Sequence, residues 1–315
     1  MFKDKAVLKE LSKLASQIEI TGSHIVFRGK TYPVTDGNAV AVLTGLLYSE
    51  CYMLKESYQS DSLKRPDQFT QDSGFINLLS QSNHTKEKTE QGWKIIQNYP
   101  NGYAEVTKNK ENRIVPASYL RMQSPTEQIA SIFFPKEDRY RQPTFYYAFS
   151  NELMDTSQKL VRIYWNCTSE GAPVLIDQIT TKLNSYNIPF LFKCLNHPGL
   201  YFRRDAAVLY IEDKLMPLLE LILPQISEAM DDFLEEDVPL FSYHYDKGTG
   251  IAENPDTQES FGMNRMATVA EALLLASLKK LQPDETISEI AMAFQKKGIN
   301  PLATHLNKGS KVLFN

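Results

Sequence analysis

Apolar positions along this chain alternate between two periods. Over residues 2–18, Val7, Leu8, Leu11, Leu14, Ala15 and Ile18 recur at helical spacing with Lys and Glu between them, which predicts an amphipathic first helix. Residues 18–34 change to alternation. Ile18 and Ile20, then Ile25 and Phe27, flank Thr21-Gly22-Ser23-His24, and Arg28-Gly29-Lys30 turns the chain again, so a hairpin is expected. Residues 38–55 are apolar around most of a helix surface (Val40, Val42, Leu43, Leu46, Leu47, Tyr48, Met53). That predicts a helix buried between layers, with Asp36 as its cap. Residues 56–94 are polar and weakly patterned, with a short helix expected at 73–80 and another entering at Thr85. Tyr99-Pro100-Asn101-Gly102 is a turn signal. It sets an expected boundary between an N-terminal region, 1–100, and a main body, 101–315, able to form one compact unit.

Beyond it the chain reads as strands: 103–108 and 113–116 around an Asn109-Lys110-Glu111-Asn112 turn, then 128–135 and 144–149. Three more short runs, 160–167, 189–195 and 206–211, are rich in β-branched and aromatic residues. Between the first two of these lies a helix pattern, 172–186, with Val174, Leu175, Ile179 and Leu183 on one face. Residues 213–230 are helical, with Pro217 suited to the first turn and Pro224 expected to kink or end the helix. An acidic run, 228–237, follows as a solvated helix end or a neutraliser of nearby cations. An extended segment, 238–245, comes next. Residues 246–260 form a long polar loop with Gly248 and Gly250, suited to act as a lid. Helices are expected at 266–280 and 284–296, with a short tail at 302–314. The fold class is α+β: a mixed, mostly antiparallel central sheet flanked by N- and C-terminal helices.

Composition narrows the function. The chain has 315 residues, of which 42% are hydrophobic and 23% charged, as in an ordinary globular protein. A net charge of −4 provides no general attraction to nucleic acid, so any anion site is local. The first helix lacks the character of a signal peptide, and no run of about eighteen apolar residues exists to span a membrane. A cytoplasmic protein is expected, with export by a system that reads no cleavable peptide left open. The three cysteines, Cys51, Cys167 and Cys194, sit in apolar surroundings without CxxC spacing, and reduced buried thiols are expected. No metal-ligand spacing, P-loop, GxGxxG, HExxH or GxSxG is present.

The cations of the central stretch are its unusual feature. Arg162, Lys193, Arg203 and Arg204 lie within or beside strands that are otherwise apolar. Cations are seldom buried without a partner. Convergence of this set from neighbouring strands would bind a phosphate or carboxylate. The plainer alternative is that each strand end meets solvent and each cation pairs with a local acid such as Asp205 or Glu212. Lys136, in Phe-Phe-Pro-Lys-Glu-Asp-Arg, is either a loop cation lining the anion site or part of a solvated loop. Arg265 would open the helix at Met266, where free N–H groups favour anions.

RIYWN (162–166), IPFLFKCLNHP (188–198), YFRRDAAVLYI (201–211), VPLF (238–241), IAENP (251–255) and ESFGMNR (259–265) resemble the HopA-like effector family, over roughly residues 128–275. That family includes type III secretion effectors. It also includes stand-alone proteins encoded beside peptide-modifying kinases, such as the lyase component of class V lanthipeptide and thioamitide biosynthesis. The resemblance implies a lyase that eliminates phosphate from phosphoserine or phosphothreonine in a precursor peptide, leaving a dehydroamino acid. Elimination needs a base, cations for the leaving phosphate and a proton donor; it needs no metal or redox cofactor. On this reading Lys193 is the base. Arg162, Arg204 and Arg265 are the phosphate ligands, with Lys136 and Arg203 in support, and Asp205 orients an arginine. Tyr164 or His197 is the donor. Several relatives have His where this chain has Asn264, so an acid at that position is missing here. The implied partners are a phosphorylated peptide and a separate peptide kinase; no nucleic acid is expected. The other function class is a non-enzymatic effector-type interaction module in which the cations are structural.

Overall fold

The computed structural model of the chain describes residues 2–35, 37–58, 71–155 and 157–310; Asp36, the expected cap, lies outside them. The N-terminal periodicity yields the elements it predicts. In α1 (Lys5–Gln17) the Asp4 side chain accepts from the Ala6 and Val7 N–H groups while Val7, Leu11 and Leu14 are buried. The cap satisfies donors that a first turn leaves open. β1 (Glu19–Ile20), β2 (His24–Phe27) and β3 (Lys30–Pro33) form a three-stranded sheet. α2 (Ala39–Leu47) passes into a π-helical turn, Tyr48–Met53, so the helix expected over 38–55 ends in a widened turn. α3 (Ser73–Gln81) follows as expected.

The helix expected to enter at Thr85 is instead a strand, β4 (Lys88–Asn98). Trp93 and Ile95 alternate inward, and of the charges that suggested a helix Lys88 and Glu90 are half-buried opposite Phe134 and Ile132 of the neighbouring strand. With β5 (Tyr103–Lys108), β6 (Glu111–Pro116), β7 (Leu120–Ser124) and β8 (Ile129–Phe134) it makes a five-stranded sheet in the order β6-β5-β4-β8-β7. This sheet has its own small core of Trp93, Val106, Val115, Ile132 and Phe134. The turn at 99–102 joins β4 to β5, with the Tyr99 N–H donating to the Tyr103 carbonyl, so the chain passes from 1–100 to 101–315 inside one sheet.

The main sheet is seven-stranded and antiparallel at every pairing. Its strands are β9 (Glu137–Gln142), β10 (Phe145–Phe149), β11 (Leu160–Trp165), β12 (Leu191–Leu195), β13 (Ala207–Glu212), β14 (Tyr243–Asp246) and β15 (Thr249–Glu253), in the order β14-β15-β11-β13-β12-β10-β9. The expectation of a lid over 246–260 is therefore wrong. Residues 249–253 form a fully buried strand beside β11. Gly248 and Gly250 are there because there is no room: a Cβ on Gly250 would lie 2.6 Å from Ser242 Oγ, and one on Gly248 2.3 Å from the Glu235 carbonyl.

One face of this sheet, carrying Val161, Ile163, Trp165, Phe192, Leu209 and Ile211, joins a common core with Ile176, Ile179, Ile222 and Ile226 of α4 (Gly171–Ser185) and α5 (Met216–Met230). α5 runs through Pro224 to Met230. α6 (Phe261–Lys279) packs against α2 and α7 (Pro283–Lys296). The acidic run after α5 does neutralise cations: Glu235 pairs with the buried Lys55 at 2.7 Å, and Asp237 with Arg204. The three cysteines are buried free thiols, and burial pushes the Cys167 thiol up to about 12. No helix among the described residues is long and apolar enough to cross a membrane.

Candidate functional site

Side chains of an antiparallel pair that face each other across the ladder share one face of the sheet. Two such rows cross the face opposite the α4–α5 core. One runs Gly250–Tyr164–Val208–Lys193–Tyr147, the other Ala252–Arg162–Tyr210–Leu191–Phe149. The pairing register thus brings Arg162, Tyr164 and Lys193 together from β11 and β12, although these strands are not neighbours.

Tyr210, half-buried on the intervening β13, is the shared surface. The Arg162 guanidinium lies 5.0 Å from its ring centroid and Lys193 Nζ 5.9 Å, both favourable cation–π distances. Arg162 also donates to Asn254 Oδ1 from Nε at 2.8 Å. Lys193 Nζ rests 4.2 Å over the Phe145 ring and donates to Gln142 Oε1 at 3.3 Å. Among the described residues neither cation has a carboxylate at ion-pair distance.

Behind them lies a tyrosine chain supplied by the π-helical turn. Tyr48 and Tyr52 stack at 5.3 Å with their planes 17° apart, and the Phe261 ring is 6.3 Å from both Tyr52 and Tyr164. The Tyr164 hydroxyl is buried without a hydrogen bond; Tyr52 and Arg162 lie beside it without reaching bonding geometry. Burial pushes its pKa up, and the nearby Arg162 charge pulls the other way. Arg203 forms a buried bidentate pair with Asp205, at 2.8 and 2.9 Å, and donates to the Tyr48 hydroxyl at 3.3 Å. Desolvation would raise the Asp205 carboxyl, but Arg203, and Lys193 beyond it, hold it below the usual carboxylate range. Asp205 thus orients Arg203.

Arg265 does not open a helix. α6 begins at Phe261 with Ser260 as its cap, so Arg265 lies a turn inside and away from the free N–H groups. Its guanidinium is 1% exposed and donates to the Thr304 and Leu306 carbonyls, at 2.9 and 3.1 Å, and to Asn264 Oδ1 at 2.6 Å. Desolvation lowers its pKa to about 10. The Asn254–Asn307 pair links it to Arg162: Asn307 donates to the Asn254 carbonyl, and Arg265 to Asn307 Oδ1 at 3.4 Å.

Three expected site residues lie outside this cluster. Arg204, in the turn after Arg203, pairs with Asp237 and donates to the Cys51 carbonyl. Lys136 donates to the Ser80 carbonyl at 2.9 Å, beside Asn83 and Tyr146, and Tyr146 belongs to the opposite face. His197 lies past the end of β12, where its Nδ1 accepts from the Gly199 N–H in a tight turn. Four participants, Tyr48, Tyr52, Tyr210 and Asn254, are not among the candidate site residues the sequence offers. The i, i+4 spacing of Tyr48 and Tyr52 was the available signal for a paired aromatic face.

Residues 137–306 match the HopA1 effector protein family. Two solved structures resemble the chain. An effector protein from Pseudomonas syringae pv. tomato strain DC3000 aligns with a TM-score of 0.51 and 17% identity, covering 97% of this chain and 100% of that one. An effector protein from Pseudomonas syringae pv. syringae strain 61 aligns at 0.50 and 13%, covering 98% and 100%. At these identities the likeness establishes the fold. No curated protein matches the sequence.

Proposed function

The chain belongs to the HopA1 effector protein family, and from the charged face just described we propose that it is a lyase that removes phosphate from phosphoserine or phosphothreonine in a peptide. The observation that carries this reading is the pair Arg162 and Lys193. They flank one half-buried tyrosine ring and are held by neutral acceptors instead of carboxylates. A phosphate entering between them meets positive charge already oriented and not cancelled.

In the reaction the Cα–H and Cβ–O bonds of the phosphorylated residue break and a Cα=Cβ bond forms. The Lys193 amine takes the Cα proton. The phosphate leaves against the Arg162 fork, whose planar donors match its oxygens. Tyr164, next to Arg162 on the same face and with no competing hydrogen bond, gives a proton to the departing oxygen, and its position makes it a better donor than His197. Arg265 contributes charge from behind while its own donors stay on the 304–307 segment. Arg203 and Asp205 hold Tyr48 and hence the tyrosine chain. The reaction is redox-neutral, and a separate kinase phosphorylates the peptide beforehand.

The test is mass spectrometry of synthetic phosphoserine and phosphothreonine peptides incubated with wild type and with Lys193→Ala. Loss of phosphoric acid with wild type alone is expected. Equal elimination by Lys193→Ala removes Lys193 as the base. If no phosphopeptide is converted, the non-enzymatic interaction module is the better reading.

A further inference from the structure

The second of the two rows does not end at the cations. From Arg162 it continues through Tyr210 and Leu191 to Phe149, and Leu191 and Phe149 line a cleft of about 780 Å³ between the seven- and five-stranded sheets. The opposite wall is the inner face of the smaller sheet, where Tyr119 and Phe134 contribute rings and Arg113 lies over Trp93. The near rim carries Arg141, exposed, stacked 5.3 Å over Tyr147, and with no carboxylate at ion-pair distance among the described residues. Tyr147 is the cross-strand partner of Lys193. The cleft is therefore continuous with the charged face along both rows.

We propose that this cleft holds the flank of the same peptide whose phosphorylated residue lies at Arg162 and Lys193, and that it selects large apolar or aromatic side chains there. The inference rests on the lyase reading. A phosphorylated residue within a chain has neighbours on both sides, and at least one side must leave the charged face along the sheet. Adjacent strands are about 4.8 Å apart and an extended peptide advances about 3.3 Å per residue. From Arg162 on β11, Leu191 is two strands away and Phe149 three. A chain following the row therefore reaches Leu191 after about three residues and Phe149 after about four. Aromatic and aliphatic side chains line much of the cleft, as in small-ligand pockets, with Lys88, Arg113, Glu152 and Asp155 among them, and Arg141, which has no carboxylate at ion-pair distance among the described residues, suits a carboxylate or carbonyl at the rim.

The test uses short synthetic peptides with a central phosphothreonine, binding being read by fluorescence polarisation under conditions too brief for turnover. One peptide has Gly and Ser flanks; a second has Phe and Leu three and four residues from the phosphothreonine, placed on each side in turn; each has an unphosphorylated twin. Wild type is expected to bind the apolar-flanked phosphopeptide about tenfold tighter than the Gly/Ser one. Leu191→Ala and Arg141→Glu are expected to erase that difference while leaving affinity for the Gly/Ser phosphopeptide unchanged. Peptide variation carries the test even if Leu191→Ala folds poorly. Binding that depends on phosphate but is indifferent to the flanks overturns the cleft and leaves the lyase reading standing. Binding indifferent to phosphate overturns both. Self-association abolished by Leu191→Ala, with peptide affinity unaffected, assigns the cleft to a second copy of the chain and also overturns the proposal.

Discussion

Gly262 offers a direct way to move the tyrosine chain without altering any charged group. It lies in the first turn of α6 against the face of Tyr52, and a Cβ there would lie 2.5 Å from Cε1 and 2.7 Å from both Cδ1 and Cζ. Carbon atoms settle at about 3.5–4.0 Å, so Gly262→Ala requires Tyr52 to retreat by about 1 Å. Tyr52 is 1% exposed and stacked on Tyr48, which holds Arg203, so the displacement is carried toward the cluster. Overpacking of this kind costs about 1–3 kcal/mol. Alanine regains at most about 1 kcal/mol of helix propensity, leaving a net loss of about 1–2 kcal/mol. That lowers the melting temperature by about 2–5 °C for a chain of this size. The matched control is Gly45→Ala in α2, where an added Cβ meets nothing within 4 Å; it is expected to be neutral or slightly stabilising. The assay is thermal melting of the three proteins with phosphopeptide titration in parallel. If Gly262→Ala melts and binds like wild type, Tyr52 moves freely and the tyrosine chain does not support the site.

Other perturbations separate structure from binding. Asp205→Asn leaves Arg203 charged and buried without its partner, and a loss of about 3–5 kcal/mol is expected from urea titration. Because Asp205 is held below its ordinary range, its contribution is present above about pH 4 and declines as pH falls through the lower folded value. Burial, with Arg265 nearby, lowers the His305 pKa to about 4. The unfolded chain therefore binds a proton below about pH 6.5 that the folded one refuses. The associated stability is complete above that pH and lost between about 6.5 and 4. With the ring partly exposed the loss is about 1–2 kcal/mol, seen as a urea midpoint that falls between about pH 7.5 and about pH 5 in wild type and less in His305→Gln. Arg162→Met is expected to weaken phosphopeptide binding at least about tenfold. Arg204→Ala and Lys136→Ala should lower the melting temperature without changing that affinity, and an equal loss of affinity in all three would contradict the separation of the site from the other cations.

The parts of the fold that could be read from the sequence are those where burial is two-sided or periodic. β11, β12 and β13 stand out because both faces are covered, which demands continuous apolar runs. α1 and α4 stand out because a single apolar stripe repeats. β9 does not, because Glu137-Asp138-Arg139-Tyr140-Arg141-Gln142 is an edge strand, and edges tolerate charge that interior strands exclude. β15 was hidden by Gly250 within it and Gly248 just before it, which let Ser242 and Glu235 approach. For the site, the shared parity of Arg162 and Tyr164 was visible in the sequence, but their meeting with Lys193 depends on β13 lying between β11 and β12, and strand order has no local signal. The separation of Arg203 from Arg204 depends on a tertiary pairing with Asp237 and had no local signal. The two lie at a bridge and in the turn that follows it, and their acids differ, Asp205 for Arg203 and Asp237 for Arg204. Arg265 was misplaced because the Ser260 cap was not recognised ahead of Phe261.

What distinguishes this cluster from an ordinary ion-pair network is the identity of the acceptors. A buried cation needs partners for its donors, and a carboxylate satisfies the hydrogen bonds and cancels the charge together. Arg203, Arg204 and Lys55 are treated in that way, each opposite an acid. Arg162 is held by an amide oxygen and a tyrosine ring, Lys193 by an amide oxygen and three aromatic faces, and Arg265 by backbone carbonyls and an amide. The nearby acids are occupied: Asp205 by Arg203, and Glu253 by the Asn307 N–H and the Ser310 hydroxyl at 2.6 Å each. Neutral acceptors meet the geometric demand of the donors and leave the positive field intact. In a chain of net charge −4, keeping that field in a half-buried place has a desolvation cost that structural stability alone does not require. An anionic group arriving from solvent is the partner that offsets it.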